Sequence, residues 1–399
     1  MKIINSKLNK LETKITNGET LKIAIMGLGG VGNYLLDYLM SWQIDNLEIH
    51  ICGRSQDKIS SDINIVRIAN GIRHNNTKTI IAHHVDLENI DNIATALKKI
   101  NPDFIINSSR AYSGLKYGSI SWKNFRAYGI WSPLAAKFMR NIMIAYRQAK
   151  CSGIVINTSY SDAVIPWIKS AGLSYPDFGS GNVNHLISRI KLEVAEEIGA
   201  GNINNINIVL ATSHFHNVLI SKEGHAAGVE PLVHISHGTK ELELDVAKIY
   251  KKCVIPMPVD SKRNMMNASS NFEIITKIIN SIRYQASYII HVPGIAGEIG
   301  GYPIRIDFRE GASKENRISF VEDYFSIDEM RLHNRLSIAL DGIEDVTDGV
   351  LTYTEVLRDK VKECFNVKLP KHVPFDKIEE TAELLIEKII KPAKGKDNQ

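Results

Sequence analysis

The chain has 399 residues, 44% of them apolar and 23% charged, with a formal net charge of +4. That is an ordinary globular balance, long enough for about two or three domains. No long basic block points to nucleic acid, no apolar run approaches a membrane span, and the opening MKIINSKLNKLETK lacks the apolar core of a signal peptide.

The four cysteines, Cys52, Cys151, Cys253 and Cys364, are scattered, and no C-x-x-C pair occurs. Neither a disulfide framework nor a structural metal is expected, and the thiols read as those of a reduced, cytoplasmic protein. Residues 1–20 are polar and read as an N-terminal arm or a frayed helix. The strongest signal follows at Leu21 to Asn33, LKIAIMGLGGVGN. The apolar run Ile23–Met26 leads into Gly27-Leu-Gly-Gly-Val-Gly32, and Leu35, Leu36, Leu39 and Met40 then fall on one helical face. Strand, glycine turn and helix in that order are the context that a G-x-G-x-x-G match needs for dinucleotide binding. Gly27 would allow the tight turn, Gly29 the approach of a pyrophosphate and Gly32 the close packing of helix on strand. The phosphates would sit at the helix N-terminus, beside Gly30 and Val31.

The second strand, Leu47 to Cys52, ends in Gly53-Arg54-Ser55. NAD enzymes carry an acid here, ~20 residues after the glycines, to hold the ribose hydroxyls. An arginine can instead pair with a 2′-phosphate, so Arg54 and Ser55 favour NADP, with NAD as the alternative cofactor. The other reading of Arg54 is a solvated loop residue. Thr79–Val85 is a third strand, a helix follows over Ile90–Ile100, and Phe104–Asn107 is a fourth strand. This alternation predicts an α/β fold with a doubly wound parallel sheet. Asn107 and Ser108, at the strand's carboxyl end, join the expected cofactor residues.

The stretch Ser108 to Gly118 carries Arg110, and Trp122, Lys123, Arg126 and Trp131 follow before a helix opens at Ser132-Pro133. It suits a lid with Arg110 and Arg126 as substrate contacts; a surface insertion is the plainer reading. Gly153–Ile156 is the next strand, followed by Asn157-Thr-Ser-Tyr-Ser-Asp162 and a turn-rich connection. A helix from Val183 to Ile198 carries Arg189, and the strand Ile208–Leu210 runs into Ala-Thr-Ser-His-Phe-His216.

The order of these features resembles the lactate/malate dehydrogenase superfamily, over residues 22–340. That family's T/S-N-P-V-D segment is matched by Ile156 to Asp162, its substrate-gripping arginine by Arg189, with the rhythm Arg189 to Gly199, and its V-L-G-E-H-G by Val209-Leu-Ala-Thr-Ser-His214. The Rossmann half is also similar to saccharopine-dehydrogenase-like proteins. The resemblance implies a Rossmann domain at 21–160, an α+β substrate and oligomerisation domain at 161–390, and a polar tail at 391–399. It also implies a homodimer or homotetramer and a small anionic hydroxy or oxo metabolite as substrate. Asn157, Arg189 and either His214 or His216 would carry the chemistry, and Ser269, in a helix over Ser269–Ser281, would touch substrate. Phe325 to Met330 would open the last helix.

There are departures. The acid of the family's D-x-x-R pair is replaced by Leu186, and Phe215 and His216 follow the histidine. Without a carboxylate partner, the histidine is expected to titrate near or below its free value. Should neither histidine serve, Tyr112, Lys123 or Tyr160 comes next. His225, His234 and His237 read as a solvated loop without metal, and Arg305 as a second anion anchor or a sheet-surface residue. Three alternatives stay open: a saccharopine- or opine-like C–N reductase, an NAD- and manganese-dependent glycosidase of the same fold, and a non-catalytic NADPH sensor.

Overall fold

The computed structural model describes residues 1–74, 78–112 and 114–393. The end of the expected polar tail, from residue 394, lies outside the described residues.

The chain begins with α1 (Lys2–Thr16), β1 (Leu21–Met26), α2 (Gly30–Ser41), β2 (Leu47–Gly53), α3 (Gln56–His74) and β3 (Thr79–His84). Then come α4 (Ile90–Ile100), β4 (Phe104–Asn107), the short α5 (Gly114–Ile120), α6 (Ser132–Gln148), β5 (Ile154–Asn157), α7 (Ser161–Ser170) and β6 (Phe178–Gly179). The six strands form one parallel sheet in the order β3-β2-β1-β4-β5-β6. This is the doubly wound arrangement whose order reverses beside β1, where open α/β sheets bind ligands. Because strand side chains alternate, Ala24 and Met26 enter a core with α4, α6 and α7, while Ile23 and Ile25 enter the opposite one with α1, α2 and α11 (Asn264–Arg283). Local chemistry sets the boundaries. Asn89 caps α4 by accepting the N–H of Asn92, and Asn101 ends it in the left-handed region (φ 49°). Pro133 sits in the first turn of α6.

A third core joins α8 (Asn182–Ile198), the antiparallel strands β7 (Ile206–Ala211), β8 (Leu232–His237) and β9 (Lys240–Glu241), and α10 (Val246–Lys252); α9 (His214–Glu223) follows β7. The segment holding His225, His234 and His237 is therefore not a solvated loop throughout. His234 stacks on Tyr324, with ring centroids 3.6 Å apart. The strands β10 (Ser287–Pro293), β11 (Gly301–Asp307) and β12 (Ile318–Phe320) form a separate antiparallel sheet. Arg305 there pairs with Asp323 at the surface.

The helix opened by Ser326 is α12 (Ile327–Leu340), with a Ser326–Glu329 capping box, and it is not the last. Beyond it lie β13 (Ile343–Thr347), β14 (Val350–Tyr353), α13 (Glu355–Phe365), β15 (His372–Pro374) and α14 (Ile378–Leu385). This C-terminal unit shares its core with α6 and the Rossmann layer.

The N-terminus is not a loose arm. Ile4, Leu8 and Leu11 bury one face of α1. Lys7 pairs with Asp177 at 2.6 Å, Lys14 with Asp103 at 2.7 Å, and Glu12 receives both Nη2 bonds of Arg317 at 2.9 and 3.0 Å. Leu8 is fully buried, so Leu8→Ala should cost about 2–5 kcal/mol of stability, measured by urea unfolding. A change below about 0.5 kcal/mol would restore the arm.

Candidate active site

Two clefts open at the carboxyl end of the parallel sheet. The first, about 290 Å³, is lined by Gly27, Gly29, Arg54, Ser55, Lys58 and Arg110, among others. Gly27 has φ +93°, where only glycine is unstrained. A Cβ on Gly32 would stand 2.5 Å from the Gly27 carbonyl oxygen, so that position admits no side chain. Gly29, a wall of the cleft, precedes α2 with no side chain capping the helix, which leaves its first N–H groups without a side-chain partner. Val31 instead packs on the core, and Gly30 faces the Asn264 amide.

Beneath the turn lies a polar lattice. Ser108 Oγ donates to Gly27 O at 2.6 Å. Asn107 and Asn157 are level on β4 and β5, and Asn107 Nδ2 donates to Asn157 Oδ1 at 2.9 Å. Asn157 Nδ2 donates in turn to Ser159 O and Ser161 Oγ. Both asparagines are fully buried and occupied with the chain itself, so they set the floor of the site and do not open into it.

The second cleft, about 70 Å³, is enclosed by Tyr117, Tyr128, Trp131, Tyr160, Asp162 and His214, with Arg110, Ser159 and Asn267 among its other walls. Arg110 lines both clefts and so marks where they meet. Tyr112 and Lys123 line neither.

His214 opens α9 and points one side of its ring at Asp341. Nδ1 donates to Asp341 Oδ2 at 3.0 Å. Tyr160 Oη donates to the same oxygen at 2.6 Å, and the Tyr128 N–H donates to Asp341 Oδ1 at 2.6 Å. The rings of Tyr128 and Tyr160 meet the imidazole edge-on at 5.0 and 5.2 Å. With Nδ1 committed, Nε2 has no hydrogen-bond partner among the described residues, and His214 lines the pocket. Asp162 accepts the His214 backbone N–H at 3.0 Å. Burial pushes the Asp162 carboxyl up to about 6, against the pull of nearby His214.

The expectation of an unpartnered, acidic histidine is thus overturned. Burial disfavours its imidazolium, but Asp341, with Asp162 adding, outweighs that, and His214 titrates above its ordinary value. Sequence reasoning missed Asp341 because it searched only beside Arg189. Its one local mark is that it follows the last turn of α12.

Four expected contacts lie elsewhere. His216 is fully buried: Nδ1 accepts from Ser337 Oγ at 2.6 Å and Nε2 donates to Ala227 O at 2.9 Å. Burial holds it below its ordinary value, as a neutral core side chain. Arg189 spends its guanidinium inside the fold, Nη1 on Cys253 O at 2.6 Å and Nη2 towards Met257 Sδ at 3.3 Å. Arg126 pairs with Glu223 at 2.7 Å and lies over Trp122. Ser269, exposed, bonds back to Met265 O; α11 begins at Asn264, five residues before the expected start, so Asn267 reaches the pocket instead.

The comparisons agree with this architecture. The malate dehydrogenase of Aeropyrum pernix superposes with a TM-score of 0.52 at 14% identity, covering 80% of this chain and 96% of that one. The Cryptosporidium parvum malate dehydrogenase superposes equally well, at 12% identity, covering 81% and 98%. The chain thus has the fold of these malate dehydrogenases. No protein-family model and no curated protein matches the sequence. The shared fold takes in 96% and 98% of those dehydrogenases but only 80% and 81% of this chain.

The Asp341 contact makes a measurable difference. By NMR titration, His214 should show a pKa above the free-histidine value in the wild type and a lower one in Asp341→Asn. An unchanged titration in that variant would remove Asp341 as its partner.

Proposed function

We propose that this chain is an NADP-dependent dehydrogenase of a small anionic hydroxy or oxo metabolite. The observation that carries the reading is the His214–Asp341 pair, whose pocket meets the glycine-turn cleft at Arg110. The cleft fits a dinucleotide: the uncapped start of α2 suits a diphosphate, and the glycine turn leaves it room. Arg54 and Ser55, just after β2, and Lys58, in the first turn of α3, suit a 2′-phosphate, where an acid would repel one. Asp86 also lines that cleft, but its carboxylate accepts the backbone N–H of Glu88.

When bound, the nicotinamide supplies or takes the hydride. The chain's own residues handle position and proton. Asp341 holds the imidazole by Nδ1, so Nε2 is left to give the proton to a substrate oxygen in reduction and to take it in oxidation. Arg110 places positive charge where the two clefts meet, and the aromatic walls restrict water.

NADPH should bind at least tenfold more tightly than NADH, about 1.4 kcal/mol. Arg54→Asp should reduce or invert that preference; equal affinities, read by fluorescence titration, would sink the NADP reading. His214→Ala should lower kcat by about 10²–10⁴ with NADPH affinity unchanged. The pH dependence has a fixed sign. A raised pKa keeps His214 protonated to higher pH, so reduction should hold its rate up to that pKa and decline above it. Oxidation needs the neutral ring and should rise through the same value. Profiles without these limbs would move the acid/base role away from His214.

A further inference from the structure

Arg189 is committed to its own chain, so another group must meet the substrate's acidic end. We propose that Arg110 anchors that end and that Gly114 is its positioning residue, whose missing side chain leaves the guanidinium its place where the two clefts meet. This inference rests on the dehydrogenase reading above.

Arg110 follows the end of β4 and lines both clefts. It is the one lysine or arginine among the walls of the His214 pocket, because Arg54 and Lys58 line the glycine-turn cleft alone. Arg126, Arg305 and Arg331 each have a carboxylate partner, whereas Arg110 makes no hydrogen bond or ion pair among the described residues. Its five N–H donors are therefore left for a bound molecule or water. Its charge is also felt at the His214 ring, so the free guanidinium and the proton-exchanging group share one pocket.

Gly114 opens α5, and its φ is not positive, so its backbone does not call for glycine. Space does. A Cβ on Gly114 would stand 2.3 Å from Arg110 Nη1, closer than any real contact, and 3.7 Å from Tyr117 Oη, an ordinary one. Tyr117 is a wall of the pocket, and its ring centroid lies 4.7 Å from that of Trp131, another wall. The bare side of Gly114 thus faces the pocket, with the guanidinium tip against it. The clash would fall on the tip of a flexible side chain and on no backbone atom. An added methyl would therefore displace the guanidinium and leave the fold in place, and alanine in a helix is about 1 kcal/mol better than glycine.

The test uses the full chain saturated with NADPH and glycolate as the anionic probe, followed by the fluorescence of Trp131 in the pocket wall, with chloride at matched ionic strength as control. Arg110→Gln should weaken glycolate at least tenfold. Gly114→Ala should weaken it about as much without lowering the melting temperature, a pair of results that damage to the fold would not give. In the Arg110→Gln background, Gly114→Ala should change glycolate affinity by less than about twofold, because it acts only through the guanidinium. Four outcomes overturn the inference alone: NADPH binds but glycolate does not exceed the chloride control; Arg110→Gln binds glycolate as the wild type does; Gly114→Ala does so; or Gly114→Ala weakens glycolate by the same factor whether or not Arg110 is present. Failure of NADPH itself to bind the wild type overturns the dehydrogenase reading and this inference together.

Discussion

The buried carboxylate of Asp341 is the contact on which the site depends. It is fully removed from solvent and follows the C-terminal end of α12, where the helix dipole is negative. A charge there persists only if donors surround it. Three arrive from three separate parts of the chain: the Tyr128 backbone, the Tyr160 hydroxyl and the His214 ring. Each is fixed by the carboxylate in turn. Tyr160 is a non-glycine residue with φ 45°, a conformation costing roughly 1–3 kcal/mol, and its bond to Asp341 helps hold it there.

The carboxylate beside the His214 ring does not come from the position that the sequence resemblance implies. The residue three before Arg189 is Leu186, fully buried in the core of α8 and β7. The carboxylate comes from the far end of the chain instead, 127 residues beyond His214. The physical requirement, an acceptor for Nδ1–H, is met by geometry, and the position in sequence that supplies it is free to differ.

That freedom explains what could be read from the sequence and what could not. The glycine turn, β1, β2, β4 and the helices α4 and α6 carry local marks: apolar runs, caps, a proline in the first turn. They were legible residue by residue. The helix α7 was not. Residues Ser161 to Ile168 are buried all round and include Pro166, so no amphipathic period announces it. β8 was hidden by its two histidines, His234 and His237, which interrupt its apolar run. In the site, His214 was legible because it closely follows the end of a strand, β7. Asp341 had no local signature, and Arg189 looked like a ligand because side-chain direction cannot be read from spacing. Its guanidinium was already taken by Cys253.

The C-terminal unit does more than supply one side chain. Asp341 O accepts the Gly129 N–H, Tyr353 Oη donates to Ile130 O, Lys360 Nζ donates to Phe125 O, and Phe365 packs on Phe125 at 5.6 Å. The rear of the segment between β4 and α6 is thus seated on the same unit that follows Asp341. Proteins open locally in cooperative blocks. If this block loosens as one, the imidazole loses its acceptor and the pocket loses its wall in a single event, while the parallel sheet can remain folded. Heat inactivation and global melting then become separate transitions, with the C-terminal unit setting the lower of the two.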